Sequence, residues 1–208
     1  MHIRSIIYVF AFKCFFKILI IFNFYVVADV IIQRHVKGAG RQFPRPWSFY
    51  KTGFGNERAN YYWAGLDTIH GITSSGSYSL EIELTTGGQT KTVKWGSFSI
   101  GSESNKYQLS LSGFDAGSSG LQDGLTPHNG MFFSARDVDN DQWSGSCSGN
   151  YGNTGWWYKD CAVTNLNIAH TSGPWYATVF YDESRMILKR YSTFQRFIIV
   201  TRFVKRWN

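Results

Sequence analysis

The sequence predicts a loop-rich domain built on β-strands and packed around aromatic side chains. Residues 78–84 alternate strictly between polar and apolar side chains, which is the period of a half-buried strand. Aromatic residues make up 18% of the chain and charged residues only 17%, and 21 glycines are available for turns. Residues 112–155 are rich in Gly, Ser, Asn and Asp and show no regular period. With 208 residues, the chain has room for one domain with a substantial core.

The strands follow from local patterns. Residues 30–34 predict a strand that enters the domain. Residues 78–84, a glycine-containing turn at residues 85–88 and a returning run at residues 91–100 predict a hairpin. A third alternating run covers residues 106–112, so at least three strands are expected before the irregular stretch.

Two short helices are predicted between these strands. One begins at residues 47–50 after a proline-interrupted loop, and the other covers residues 66–72 with Asp67 as a candidate cap. Aromatic side chains within and just after the irregular stretch, among them Trp143 and Trp156, favour an ordered loop region over disorder.

The net charge of +7 belongs to the two ends of the chain. Residues 1–26 contain three basic side chains and residues 191–208 contain four, with no acid in either segment, so residues 27–190 are formally neutral. A folded nucleic-acid binder carries its basic surface on the domain itself. Nucleic acid is therefore not an expected partner.

Both ends are expected to lie outside the domain. Residues 18–28 form an uncharged run of signal-peptide length that ends in small residues, so residues 1–28 are predicted to be a signal peptide and the protein to be secreted. A signal anchor, which would hold residues 1–28 in a membrane, and an artefactual start are the alternatives. Residues 29–190 form the expected domain, and residues 191–208 form an apolar and basic tail.

The acidic loop is the strongest candidate site. Asp137, Asp139 and Asp141 occupy alternate positions, and a curled backbone there would gather the oxygen ligands that calcium requires. An EF-hand is excluded, because its sixth and twelfth positions would hold Gln142 and Ser148 instead of Gly and Glu. A solvated acidic turn is the alternative.

The three cysteines leave two arrangements open. Removal of Cys14 with the leader would leave Cys147 and Cys161 either as a pair or as two free buried thiols. No His or Cys stands at zinc-finger spacing. Residues 145–149 have the spacing of a nucleophile elbow, but an acidic loop precedes them and a Gly/Asn loop follows, so a thiol hydrolase is not expected.

The aromatic run at residues 156–158 also has two interpretations. Its tryptophans fill the core, or they form a wall with Tyr151 around a small pocket for an apolar group such as an acetyl methyl. The five histidines are scattered, and His70 and His128 are expected to be packed or hydrogen-bonded within the domain.

Together these motifs resemble the fibrinogen-related domain, the C-terminal globular module of fibrinogen chains, ficolins, tachylectins, tenascins and angiopoietins. The resemblance covers about residues 30–190 and lacks the family's usual first segment. The segments that carry it, in the family's order, are residues 31–38 (IIQRHVKG), 45–47 (RPW), 53–56 (GFGN), 62–70 (YWAGLDTIH), 128–134 (HNGMFFS), 137–143 (DVDNDQW), 156–158 (WWY), Cys161 and 165–167 (NLN).

The resemblance implies an α+β fold, with a twisted antiparallel sheet, short helices and a long loop-rich calcium and ligand region. It implies that Ca²⁺ is bound by the side chains of Asp139 and Asp141 and by the main-chain carbonyls of Trp143 and Gly145. Asp137 would then support these ligands from behind without touching the ion.

The resemblance also implies a disulfide between Cys147 and Cys161 beside a ligand pocket. Lectin-like members hold acetyl groups with a Tyr four residues after the first Cys, where Tyr151 stands, and with a downstream Tyr-Ala pair, for which Tyr176 and Ala177 are the candidates.

The sequence departs from the family around this pocket. Ala162 follows Cys161 where the family commonly has His, which removes a ring and a hydrogen-bond donor from the pocket wall. Asp160, Cys161 and Ala162 are still expected to line the ligand site. The acids with which fibrinogen chains hold a basic peptide end have no counterpart, and the segment between Asn167 and Arg185 is shorter than usual.

Three functions remain open for this chain. The first is a secreted, calcium-dependent, lectin-like module of the innate-immune type that binds acetylated or related glycans. The second is an adhesive or receptor-binding module of the tenascin or angiopoietin type, with a cell-surface or extracellular protein as partner. The third is a truncated, degenerate family member. A homo-oligomer stays open, and an enzyme is not expected because no acid/base pair or nucleophile constellation occurs.

Overall fold

The computed structural model describes residues 8–12, 15–19 and 29–190, with side-chain positions for residues 29–190. The first two ranges form an antiparallel hairpin of strands β1 (Tyr8–Phe12) and β2 (Phe15–Leu19). Most of the signal peptide or anchor predicted at residues 1–28, and all of the tail predicted at residues 191–208, lie outside the described residues. Both stay predictions.

A seven-stranded antiparallel sheet is the framework of the domain. Its strand order is β4-β5-β3-β11-β6-β7-β8, so the strand nearest the end of the described chain lies in the middle of the sheet. The strands are β3 (Val30–Val36), β4 (Phe54–Gly55), β5 (Tyr61–Trp63), β6 (Tyr78–Thr86), β7 (Gln89–Ile100), β8 (Leu109–Asp115) and β11 (Glu183–Arg190). A separate two-stranded hairpin consists of β9 (Trp175–Tyr176) and β10 (Val179–Phe180).

The predicted hairpin is formed by β6 and β7. Leu80, Ile82 and Leu84 point into the core, as their alternation requires. Gly87 and Gly88 form the two-residue turn with φ of 58° and 77°, which is the left-handed backbone of a hairpin turn that glycine adopts without strain. Local pattern alone therefore predicts this part of the sheet.

Residues 29–190 contain three short α-helices: α1 (Trp47–Thr52), α2 (Leu66–Ser74) and α3 (Cys147–Asn150). The first two confirm the predicted helices. The predicted cap of α2 is wrong, because Gly65 precedes the helix with φ of 95° and Asp67 accepts a hydrogen bond from the Tyr107 hydroxyl instead. A side chain at Gly65 would stand 2.7 Å from the backbone of Thr52, so the close approach of α1 requires glycine.

The core beneath the sheet is largely aromatic. The ring of Phe133 packs 5.1 Å from that of Trp157 and 5.2 Å from that of Tyr50, and Trp63 lies within 6.0 Å of all three. These rings come from elements far apart in sequence. Each such pair adds about 0.5–1.5 kcal/mol beyond the area it buries.

The third strand begins later than its pattern predicts. Lys106 and Tyr107 adopt φ of 49° and 50°, a left-handed backbone that cannot join a sheet, so β8 starts at Leu109. Beyond β8, the irregular stretch is tied down by backbone hydrogen bonds. Ser134 and Trp156 exchange two of them, with N···O distances of 3.0 and 3.1 Å.

Candidate functional site

The acidic loop curls through its own hydrogen bonds. The Asp141 backbone N–H donates to Oδ1 of Asp139 at 3.2 Å. The two carboxylate oxygens of Asp141 accept bonds from the backbone N–H groups of Trp143 at 3.0 Å and Cys147 at 2.9 Å. The loop is also joined to the disulfide segment, because Gln142 N–H donates to the Lys159 carbonyl at 2.8 Å.

Asp139 lies close enough to Asp141 to disfavour the charged form of the Asp141 carboxyl. Burial raises the pKa of Asp141, and the nearby Asp139 carboxylate raises it further, although the backbone N–H groups oppose the shift. A bound cation would relieve this repulsion. Among the described residues no three acidic, His or Cys side chains cluster as metal ligands, so the candidate set consists of two carboxylates with peptide oxygens.

These residues fit a calcium ion in donor chemistry. Each Asp141 oxygen accepts one hydrogen bond and has a second lone pair free for an ion. The ring of Trp143 covers the backbone of Gly145. A Cβ atom at position 145 would lie 2.7 Å from a carbon of that ring, so this bend requires glycine. The calcium role of Asp139, Asp141, Trp143 and Gly145 stays a prediction.

Asp137 contacts the framework of the domain, and its predicted support of the calcium ligands stays a prediction. Its Oδ1 accepts a hydrogen bond from the Trp47 backbone N–H at 2.7 Å, and Trp47 is the first residue of α1. The carboxylate therefore caps α1 and ties the loop to the framework.

The disulfide is confirmed. Cys147 and Cys161 are bonded, with their Cα atoms 5.2 Å apart and a sequence separation of 14. Cys147 is buried at the start of α3, and Ser146 caps that helix by accepting a bond from Gly149 N–H at 3.1 Å. The bond therefore clamps the acidic loop to the segment that contains Asp160.

Tyr151 is enclosed by other aromatic rings. Its ring stacks on Tyr158 at 5.7 Å and on Trp175 at 5.5 Å, with ring planes within 29° in both pairs. Its hydroxyl donates to the carbonyl of Ala162 at 3.2 Å. Ala162 and Cys161 are half-buried, whereas Asp160 is exposed. The structure thus brings Tyr151 and Ala162 together and places the ring of Trp175 against the tyrosine. The ligand role of Tyr151, Asp160, Cys161 and Ala162 stays a prediction.

Tyr176 lies beneath the surface. Its side chain is fully buried, and its hydroxyl donates to the Gln122 carbonyl at 2.9 Å and accepts from Gly124 N–H at 3.1 Å. Burial raises the pKa of this hydroxyl. In this arrangement its ring supports the β9–β10 hairpin from inside, and its predicted ligand contact is untested.

The tip of that hairpin has an unusual backbone. Ala177 and Thr178 adopt φ of 45° and 68°, a left-handed turn that β-branched residues rarely enter. Two bonds hold it there: Ala177 N–H donates to Thr164 Oγ1 at 3.0 Å and Thr178 N–H to the Val163 carbonyl at 3.1 Å.

The aromatic run at residues 156–158 belongs to the core. Trp156, Trp157 and Tyr158 are all fully buried, so neither tryptophan forms a pocket wall and the core interpretation is correct. The Trp157 indole N–H donates to the Tyr107 carbonyl at 2.8 Å. The Tyr158 hydroxyl accepts from the Asn165 side-chain amide at 2.8 Å.

A buried polar network joins the site to the central sheet. The Gln33 side-chain amide donates to the Leu166 carbonyl at 3.0 Å and to Ser184 Oγ at 3.2 Å. The Asn167 amide reaches the Gly155 carbonyl at 3.1 Å. Because β3 and β11 supply Gln33 and Ser184, the ligand region is anchored at the middle of the sheet.

Three histidines are packed inside the domain. The Nδ1 atoms of His35, His70 and His128 lie 2.8, 2.9 and 2.7 Å from backbone carbonyls, which confirms the expectation for His70 and His128. Burial lowers the pKa values of His35 and His128 to about 4 each. Both are therefore neutral at pH 7.

Sequence reasoning missed Trp175 and the hairpin that presents it. Two apolar pairs, residues 175–176 and 179–180, stand two residues apart, which is hairpin spacing. The intervening Ala-Thr pair lacks the Gly, Asn or Asp that normally marks such a turn, so the pattern gave no turn signal.

The antiparallel sheet, together with the acidic loop that the Cys147–Cys161 bond holds in place, defines a disulfide-clamped recognition domain. The family model of the fibrinogen beta and gamma chains, C-terminal globular domain, matches residues 25–183. The chain belongs to this family. Members of this family are non-enzymatic recognition modules, and this domain is likewise a recognition module and not an enzyme.

Curated relatives agree with this assignment. Fibrinogen-like protein A of Apostichopus parvimensis is 42% identical over 140 residues, which are 66% of this chain and 48% of that protein. Tenascin-R of Gallus gallus is 40% identical over 138 residues, 66% of this chain and 10% of that protein. Angiopoietin-related protein 6 of Mus musculus is 40% identical over 155 residues, 73% of this chain and 32% of that protein. The chain thus spans about half or less of each relative's length.

Solved structures share the fold. The fibrinogen-like globe domain of human ANGPTL6 superposes with a TM-score of 0.71 at 27% identity, covering 92% of this chain and 91% of that one. Lamprey fibrin D-dimer, complexed with the peptide ligand Gly-His-Arg-Pro-amide, gives a TM-score of 0.64 at 27% identity, covering 83% and 64%. These matches confirm the α+β fold. In the described residues no helix combines the length and hydropathy that crossing a membrane requires.

Proposed function

We propose that this domain is an extracellular recognition module that binds a protein partner through its calcium-ordered loop region. One observation carries the proposal. Among residues 29–190, three of the five exposed large hydrophobic residues lie on or beside the β9–β10 hairpin: Val163, Val179 and Phe180. Apolar side chains concentrated on one exposed region are typical of protein-binding surfaces.

The relatives support this choice. Tenascin-R and angiopoietin-related protein 6 are extracellular proteins with this domain, and the lamprey neighbour is a complex with a peptide. A calcium ion held by Asp139, Asp141 and the carbonyls of Trp143 and Gly145 would supply positive charge to the acidic loop. The Cys147 backbone N–H donates a hydrogen bond to the Asp141 carboxylate. This bond couples the acidic loop to the disulfide, so that the two move as one unit.

An acetylated glycan is the second candidate ligand. It is favoured by the position of Tyr151, four residues after Cys147 and beside Ala162. Ala162 in place of His weighs against it, because the pocket wall loses a hydrogen-bond donor, and so does the full burial of Tyr176, the other predicted contact.

Cell binding distinguishes the two candidates. The full-length secreted protein is bound to cells in calcium, with and without N-acetylglucosamine and after protease treatment of the cells. A protein partner predicts loss of binding after protease and no competition by the sugar. Competition by the sugar with protease-resistant binding would refute the proposal.

The calcium link is tested by Asp139→Asn. The amide keeps the acceptor for Asp141 N–H but removes one charge from the proposed ion site. With a dissociation constant of about 10⁻⁴ M, 2 mM calcium should stabilise the wild type by about 2 kcal/mol and raise its Tm by about 4–7 °C. The variant should lose this response.

Asp137→Asn is the matched control, since Asp137 caps α1. It should lower the melting temperature at all calcium concentrations but keep the calcium-dependent rise. A wild type that melts identically in calcium and in chelator would contradict the calcium proposal.

A further inference from the structure

The loop before α1 holds an arginine on a rigid backbone. Arg45 stands between Pro44 and Pro46, and their rings restrict the chain on both sides of it. The Phe43 carbonyl accepts a hydrogen bond from the buried Tyr50 hydroxyl at 2.7 Å, which ties this loop to the core. The backbone of Arg45 is therefore ordered before any partner binds.

The guanidinium group of Arg45 is fixed as well. Its Nε donates to the Gln42 carbonyl at 3.0 Å and its Nη2 to Gln42 Oε1 at 3.4 Å. Its Cζ lies 5.4 Å from the centre of the Phe49 ring and 5.9 Å from that of the Phe54 ring. The Phe54 ring in turn packs 5.2 Å from the buried ring of Tyr50. A side chain that is ordered in this way loses little conformational freedom on binding.

No acid neutralises Arg45. Residues 30–56 contain five Lys or Arg side chains and no Asp or Glu. Three of the five pair with acids from other elements: Arg34 with Glu183, Lys37 with Asp182 and Lys51 with Glu103. Arg41 and Arg45 form no ion pair within residues 29–190, and the two ends of the chain outside that range contain no Asp or Glu.

The free part of the guanidinium group fits a carboxylate. Two of its five N–H groups are bonded to Gln42, and the other three have no acceptor among the described residues. A carboxylate accepts two parallel hydrogen bonds from such a group. The adjacent Phe49 ring on α1 is 44% exposed, so an apolar group beside the carboxylate has a surface to pack on. The ligand chemistry is therefore a carboxylate next to an apolar group.

A protein segment supplies this combination where Asp or Glu stands beside an apolar residue. A sulfated glycan carries many anionic groups and is held by a cluster of basic side chains. Residues 27–190 are formally neutral, so the domain offers such a polyanion little overall attraction. The charge of the domain thus favours a short acidic and apolar segment over a polyanion.

We propose that Arg45 and Phe49 form a second binding site of this domain, which holds an acidic side chain and its apolar neighbour on a protein partner. The site goes beyond the proposed function, because it lies on α1 and the loop before it and includes none of the predicted calcium ligands. Binding at this site does not require calcium.

The test selects phage-displayed random dodecapeptides on the full-length protein in chelator. The selected peptides should be enriched in Asp or Glu next to aromatic or aliphatic residues, and their affinity should fall as salt is added. Arg45→Gln should weaken their binding about tenfold and remove most of the salt dependence. Phe49→Ser should weaken it severalfold with little change in melting temperature, because the side chain is exposed.

Two further variants keep the test independent of folding and of general charge. Arg45→Lys keeps the charge but not the forked N–H groups, so it should bind more weakly than the wild type. Arg190→Gln is the matched control, because it removes one exposed positive charge from β11. It should leave binding unchanged, and an equal loss in this variant would show unspecific charge attraction and overturn the proposal.

The remaining outcomes are decisive for this site alone. Selected peptides without acidic residues, or peptides that bind equally well to wild type and Arg45→Gln, would overturn it. Retention of the wild type on heparin resin at physiological salt, with loss of retention in Arg45→Gln, would also overturn it in favour of a sulfated glycan. None of these results touches the calcium-ordered loop region, whose own test is the calcium response that Asp139→Asn should lose.

Discussion

Acid should destabilise this domain through two buried histidines. His35 and His128 have almost no exposed surface, and burial lowers both pKa values to about 4. Backbone bonds to Leu166 and Trp157 oppose the shift, and the charge of nearby Lys159 adds to it at His128. In the unfolded chain both imidazoles regain a pKa of about 6.5.

The direction of this pH dependence follows from which state, folded or unfolded, binds the protons. Below pH 6.5 the unfolded state takes up protons that the folded state excludes until about pH 4, so stability falls as the pH falls through this window. Each histidine should reduce the free energy of unfolding by about 2 kcal/mol between pH 7 and pH 5, or about 4 kcal/mol together. That is a large fraction of the 5–15 kcal/mol of a typical domain.

Urea unfolding between pH 5 and 7, at constant calcium, measures this loss. His35→Asn and His128→Asn are the informative variants, because an Asn amide can donate to the same carbonyl as Nδ1 without titrating. Each variant should remove about half of the pH dependence, although its stability at pH 7 will be lower. A free energy of unfolding that stays flat across the window, or single variants with the wild-type slope, would refute the reasoning.

Three further predictions concern the disulfide, core packing and helix propensity. Replacing Cys147 and Cys161 together by Ser should lower the free energy of unfolding in urea by about 3 kcal/mol, and reducing the wild type should have the same effect; a loss below about 1 kcal/mol would contradict this. Gly155→Ala should destabilise by about 1–3 kcal/mol, because its methyl group would lie 2.6 Å from the ring of buried Tyr50. Gly71→Ala, in open space on α2, should instead raise the melting temperature, with a gain of up to about 1 kcal/mol.

Local patterns predicted the elements whose partners are close in sequence. The β6–β7 hairpin needed only its alternation and two glycines, and the starts of α1 and α2 were found from short apolar runs. The order of short motifs identified the family and, through it, the disulfide. These features depend on residues that are close together in the sequence, so local sequence patterns predict them.

Other features arise from contacts between distant residues. The candidate cap Asp67 bonds Tyr107, 40 positions away, and Asp137 caps a helix 90 positions before it. β11 pairs with β3 on one side and β6 on the other, which no local pattern indicates. Such pairings depend on the whole sheet and have no signature within a short segment.

The sequence by itself determined that this chain is a fibrinogen-related domain with an acidic loop, a nearby cystine and an aromatic run, because each of these depends on residue types at fixed spacing. Only the tertiary structure decided which aromatic side chains fill the core and which remain at the surface. Trp156, Trp157 and Tyr176 are buried, whereas Trp175 stays half-exposed over Tyr151. The physical reason is that the burial of a ring depends on the elements that surround it in space. Those elements come from segments that are far apart in the sequence.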